Sequence, residues 1–242
     1  MNRVIKFVPN LLSLLNALFG GLAIYSISAG IEHLPIAIAL LLFGSIPCDV
    51  FDGLAARLLH AKSEIGVDLD SLADTISFGV SPAIMAAMAL EKAGFFFPPL
   101  ALIVIPFSVY RLAKFNHDVR QTESFLGLPT PASALFLCGW ATILAERDLT
   151  NQVPPVIILL ILCLLLVSEM PMFGVKTFGR WRLSQKTLLV ITACAAIISV
   201  VLWGYALLAL WVCIYIVVNF SHHLSNKVVQ KPGETNTGEN DR

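Results

Sequence analysis

Four aspartates, Asp49, Asp52, Asp70 and Asp74, stand in mostly apolar sequence, where a carboxylate is costly and a functional role is the default reading. They fall in two stretches, Cys48-Asp49-Val50-Phe51-Asp52-Gly53-Leu54-Ala55-Ala56-Arg57 and Gly66-Val67-Asp68-Leu69-Asp70-Ser71-Leu72-Ala73-Asp74. Asp49 and Asp52 are three residues apart and Asp70 and Asp74 four, so on helices each pair shares a face. A short connection lets two such helices lie antiparallel, with the four carboxylates converging on one pocket. Without cations these groups would repel strongly. A divalent metal removes the conflict, and an all-oxygen ligand set favours Mg²⁺ or Mn²⁺ over zinc. Such metals commonly clamp a diphosphate or a displaced phosphoryl group. Gly53 and Ala56, one helical turn apart, remove side-chain bulk where a flat nucleotide could approach the backbone. Arg57 is placed to neutralise a phosphate or fork onto it. Solvated charges at two helix ends would account for one aspartate, but not for four at these spacings beside two small residues and an arginine.

The elements that position these residues must lie in a bilayer. Of the 242 residues 57% are apolar and 13% charged, against about 25% charged in soluble domains. The net charge is zero, which argues against a nucleic-acid partner. Apolar runs long enough for a membrane helix occur at about 10–30, 35–57, 68–91, 95–114, 130–146, 153–171, 186–203 and 205–223. Pro9, Pro35, Pro131 and Pro154 lie near predicted helix starts, where proline is tolerated. Gly204 reads as a tight turn between the last two runs. Arg3 and Lys6 before the first run resemble a signal peptide, but without a cleavage site the run reads as a retained span. Residues 1–223 are therefore expected to form a single membrane-embedded domain, with 224–242 a polar, disordered tail.

Basic residues set the topology. With eight spans, Arg3, Lys6, Arg57, Lys62, Arg111, Lys114, Arg120, Lys176, Arg180, Arg182, Lys186, Lys227, Lys231 and Arg242 fall on one side, and only Lys92 and Arg147 on the other. The positive-inside rule puts the first side, with both termini and the aspartates, in the cytoplasm. The five cysteines, Cys48, Cys138, Cys163, Cys194 and Cys213, are scattered in apolar runs and read as small buried hydrophobes. His60, His117, His222 and His223 read as loop or interfacial residues.

The run Asp49-x2-Asp52-Gly53-x2-Ala56-Arg57-x8-Gly66-x3-Asp70-x3-Asp74 resembles, at every position, the signature of the CDP-alcohol phosphotransferase family. The resemblance implies an all-α integral membrane protein, with a six-helix core and, here, two additional C-terminal transmembrane helices. It implies two divalent ions held by Asp49, Asp52 and Asp70, with Asp74 beside them as the base at the acceptor hydroxyl. It places Asp52, Gly53, Ala56, Arg57 and Gly66 around the CDP moiety. Further segments resemble membrane-embedded phosphatidylserine synthases: Pro9-Asn10-Leu11-Leu12 with Asn16, Ser77 to Ala83, Arg111 to Asn116 and Phe125 to Ala132. A looser echo runs from Ser168 to Lys176, where Glu169 and Met170 depart from the pattern.

The implied reaction moves the phosphatidyl group of CDP-diacylglycerol onto L-serine, giving phosphatidylserine and CMP at the cytoplasmic face of the inner membrane, and the assembly admits a homodimer. Arg111 and Lys114, with Arg120 in the same loop, are candidates for the acceptor or diphosphate pocket; their alternative role is that of topology anchors. A sister enzyme using glycerol phosphate, inositol phosphate or choline is the nearest rival, because a phosphorylated acceptor also requires cations. A transporter is the rival of another class. It would be expected to show internal repeats and acids along a pore, and neither is found.

Overall fold

The computed structural model describes residues 3–61, 63–117, 125–172 and 204–229. The chain in these regions is helical: α1 (Arg3–Ser28), α2 (Ile31–Leu58), α3 (Glu64–Lys92), α4 (Pro98–Asn116), α5 (Thr130–Ala145), α6 (Val153–Val167) and α7 (Leu207–Val229). The exception is a minimal antiparallel ladder, β1 (Phe125–Leu126) with β2 (Pro171–Met172), pairing Phe125 with Met172.

α1 buries one face, polar in its first half and apolar in its second, and turns an apolar face outward. Ser13, Asn16, Ala23 and Ile27 are buried on one face, while Leu11, Leu14, Leu18, Leu22 and Tyr25 are exposed on the other. A helix with that pattern suits lipid outside and a packed interior. Small residues allow close approach, as membrane helix interfaces require. A Cβ at Gly20 would lie 2.8 Å from the Ser77 Cα, and one at Gly139 would lie 2.3 Å from the Ala209 backbone nitrogen. The first contact joins α1 to α3 and the second joins α5 to α7.

α2 and α3 each contain a π-helical turn, over Leu41–Ser45 and Thr75–Val80. Both have the same physical cause. Pro47 and Pro82 have no N–H for the carbonyl four residues back, and their rings would strike it. Those carbonyls belong to Phe43 and Phe78, inside the two π turns, whose wider winding moves them clear. The helices thus continue through their prolines.

Among the described residues, four helices are long and apolar enough to cross a membrane, namely Phe7–Ser28 within α1, then α2, α3 and α4. With the composition this makes the chain a membrane protein. The expected count of eight spans meets several differences. α5 has 16 residues and α6 has 15, short of the usual length of about 20. The run at 153–171 ends as a helix at Val167, because Ser168 turns extended. α1 begins at Arg3, so Pro9 lies inside the helix and not at its start. α3 begins at Glu64, so Gly66 is in its first turn. α7 continues to Val229, past the expected domain end at 223. Pro35, Pro131 and Pro154 do sit in first turns. The run at 186–203, Cys194, Lys62, Arg120, the basic residues between Lys176 and Lys186, and the tail from 230 lie outside the described residues.

Candidate metal centre and acceptor cleft

The turn between α2 and α3 determines how the aspartates meet. α2 ends at Leu58, and just beyond it His60 has a left-handed φ of 48°, a conformation that histidine tolerates better than most residues. The His60 N–H donates to Arg57 O (3.3 Å) and the Ala61 N–H to Ala56 O (3.0 Å), a Schellman-type stop. Ser63 then caps α3, its Oγ accepting from the Gly66 N–H at 3.1 Å. Few residues separate stop and start, so α3 runs back along α2.

Asp49, Asp70 and Asp74 each bring one carboxylate oxygen to within 4.8 Å of the others. Asp74 is buried at 9% exposure, and Asp49 and Asp70 are half-buried. α1 closes the site from behind. Asn16, fully buried, donates from Nδ2 to Asp74 Oδ1 at 3.1 Å. The Asn16 backbone carbonyl accepts from Ser45 Oγ (3.2 Å) and from Ser77 Oγ (2.8 Å). Both serines lie in π turns, so α1, α2 and α3 are tied at one residue.

Asp52 stands outside the three-carboxylate group, although the spacing put it on the same face as Asp49. It is 5% exposed and accepts from Ser13 Oγ at 2.6 Å, while its charge still reaches Asp49. Above Gly53 the space is open, since a Cβ there would meet only Arg57 Nη2 at 3.7 Å. Arg57 Nε donates back to Gly53 O at 3.1 Å, which turns the guanidinium over that opening. Ala56 is half-buried one turn on. Gly66 is more crowded: a Cβ would be 3.0 Å from Ser63 Oγ and 3.1 Å from Asn10 Oδ1. Its lack of a side chain lets α1 approach the start of α3.

The donor set fits a divalent cation. It offers oxygen only, from carboxylates close enough to share an ion, and the buried Asn16 Oδ1 behind them has no hydrogen-bond partner.

A second polar assembly lies at the end of α4. Arg111 is 7% exposed, donates from Nη1 to Thr130 Oγ1 at the start of α5, and has its guanidinium carbon 5.8 Å from the Phe115 ring centre. It interacts electrostatically with Asp74, so the two assemblies adjoin. Lys114 Nζ pairs with Glu169 Oε1 at 2.9 Å. Asn116 Nδ2 donates to Ser71 Oγ at 2.7 Å, linking α4 to α3. The segment Phe125 to Pro129 rests on the end of α6. There Gly127 N–H donates to Met170 O and Leu128 N–H to Leu165 O, both at 2.9 Å. Gly127 needs its φ of 76° and its missing side chain, since a Cβ would lie 2.6 Å from Ser168 O. Sequence reasoning did not single out Ser13, Thr130 or the Glu169 pairing as parts of a site.

A family model described as CDP-alcohol phosphatidyltransferase matches residues 6–180. The chain is similar to three curated proteins, each named CDP-diacylglycerol–serine O-phosphatidyltransferase. It is 35% identical to that of Bacillus subtilis over 133 residues, covering 54% of this chain and 73% of the relative. It is 32% identical to that of Methanocaldococcus jannaschii over 182 residues, covering 73% of this chain and 79% of the relative. Against that of Mycobacterium leprae it is 32% identical over 146 residues, 56% of this chain but only 46% of the longer relative. α7 lies wholly beyond the family match.

Proposed function

From the premise that the chain belongs to the CDP-alcohol phosphatidyltransferase family, we propose that it transfers the phosphatidyl group of CDP-diacylglycerol to L-serine, giving phosphatidylserine and CMP. The observation that carries this reading is the convergence of Asp49, Asp70 and Asp74 beside the open face at Gly53. The names of the relatives above support serine as the acceptor.

In this reading Asp49 and Asp70, with Asp52 from the neighbouring turn, would hold two divalent cations, Mg²⁺ or Mn²⁺, and Asp74 stands beside them as the base. Such ions supply positive charge to a diphosphate and to the departing nucleotide. Gly53 and Ala56 leave room for the cytidine, and Arg57 faces its phosphates. Gly66 serves the same subsite indirectly, by letting Asn10 and Ser63 close up beside it. The serine hydroxyl oxygen bonds to the phosphorus that carries the diacylglycerol, the P–O bond to CMP breaks, and the hydroxyl proton passes to Asp74. Asn16 occupies Asp74 Oδ1 and so directs the proton to Oδ2. Arg111 and Lys114 line the acceptor side.

Residues 1–223 act as one catalytic domain in the inner membrane, with the site and both termini cytoplasmic, in keeping with the distribution of basic residues. A C-terminal reporter active only in the periplasm would overturn that orientation. The reaction itself is tested on purified protein given CDP-diacylglycerol with serine, glycerol phosphate, inositol phosphate or choline in turn. Phosphatidylserine from serine alone is the expected product. A product from another acceptor, with none from serine, would replace the reading by that of a sister enzyme.

A further inference from the structure

A cleft opens where α4 ends against the segment after α6, lined among the described residues by Arg111, Lys114 and Phe115 on one side and Leu166 and Ser168 on the other. At its inner end the Arg111 guanidinium is buried, and its Nε has no hydrogen-bond partner. A buried cationic donor left unfilled is costly, and its planar fork suits an oxyanion. Asp74 lies within electrostatic reach of the same guanidinium, so an anion bound there would sit beside the reacting centre.

Lys114 on the cleft wall pairs through Nζ with Glu169 Oε1, next in sequence to the lining residue Ser168, at 2.9 Å. Lys114 is three residues beyond Arg111 and so lies on the same helix face, and Glu169 pairs with the cation next to Arg111 on that face. The backbone around Glu169 is pinned. Ser168 Oγ donates to Leu165 O at 2.9 Å, and Met170 O accepts from Gly127 N–H at 2.9 Å. Glu169 therefore has a fixed place, although its side chain is 57% exposed and the ion pair adds little to stability.

We propose that Glu169 is a specificity-determining residue, receiving the ammonium of a zwitterionic amino-acid acceptor whose carboxylate lies on Arg111, and opposing acceptors that carry a phosphate. This deepens the serine reading and rests on it. A cleft with Arg111 and Lys114 alone would favour a dianion. Glu169 offsets one of the two charges and offers an acceptor for N⁺–H donors. An α-amino acid carries both charges, a carboxylate for the guanidinium and an ammonium for the Glu169 carboxylate.

The test is Glu169→Gln in the full chain, assayed with CDP-diacylglycerol and either L-serine or 3-hydroxypropionate, which keeps the hydroxyl and carboxylate but lacks the ammonium. Losing a charge-assisted contact should raise the KM for serine about tenfold or more with kcat little changed, and should leave 3-hydroxypropionate unaffected or improved. The preference for serine over 3-hydroxypropionate then shrinks by that factor. An unchanged preference would overturn the proposal, as would a rise of equal size in the KM for CDP-diacylglycerol, which would make Glu169 a structural residue. Failure of the serine reading is seen separately, as a wild-type protein that forms no phosphatidylserine, and it would remove the proposal with it.

Discussion

At the aspartate end, three carboxylates come from consecutive helices joined by the turn from His60 to Ser63. At the acceptor cleft, Arg111, Thr130 and Glu169 come from α4, from the start of α5 and from the segment beyond α6. The first assembly needs one helix pair with its backing helix. The second needs the Gly127 turn to sit on the end of α6 before Thr130 and Glu169 face α4. A cation site can thus be written in one stretch of sequence, whereas acceptor recognition depends on how distant segments dock. Changes at the first should abolish chemistry, and changes at the second should alter what the chemistry is done to.

The largest effect that would break this contrast is metal removal. Excess EDTA is expected to abolish turnover, and Mg²⁺ or Mn²⁺ to restore it; full turnover in the chelator would sink the metal centre. Next comes Asp74→Asn, which removes a proton acceptor but keeps the shape. Turnover should fall by about 10²–10⁴-fold with near-normal CDP-diacylglycerol binding. Asp49→Asn should instead weaken metal and nucleotide binding together. If both variants lost binding equally, Asp74 would be one more metal ligand.

At the cleft, Arg111→Lys keeps the charge but loses the fork, and should cost on the order of tenfold to a hundredfold in kcat/KM for serine with normal membrane insertion. Wild-type kinetics would return Arg111 to the role of topology anchor. The smallest change is Thr130→Val, which removes the hydroxyl that holds Arg111 Nη1. A few-fold rise in the KM for serine with kcat unchanged is expected from the loss of one hydrogen bond. A loss confined to kcat would show that Thr130 acts on the aspartate end instead.

The metal centre was legible because its residues are neighbours in sequence. Spacings of three and four define a helix face, and a short connection folds one face onto the other. Spacing alone could not show that Asp52 departs from the group, because that depends on Ser13 from α1. A serine on a membrane helix resembles any small packing residue, so Ser13 carried no signal. Asn16 was marked only by family resemblance, and its bond to Asp74 gives the physical reason. The Lys114–Glu169 pair joins residues 55 positions apart, and no local pattern reports such a contact. Run length read α5 to within one residue but carried α6 on to 171, past Ser168, where the chain turns extended. The two prolines inside α2 and α3 would ordinarily argue for breaks, and only the π turns show how the helices survive them.

Those π turns also act as phase shifters. A π turn holds one residue more than the α-helical path it replaces, and one residue is worth about 100° of rotation around the axis. Asp49 and Asp52 follow the surplus residue in α2, whereas Asp70 and Asp74 precede the one in α3. In α2 the carboxylates take their heading from the extra residue. In α3 it is the apolar half, from Ser81 to Lys92, that is turned to a new heading. Each helix can therefore present one azimuth to the cations and another to its packing partners, which a uniform helical wheel cannot do.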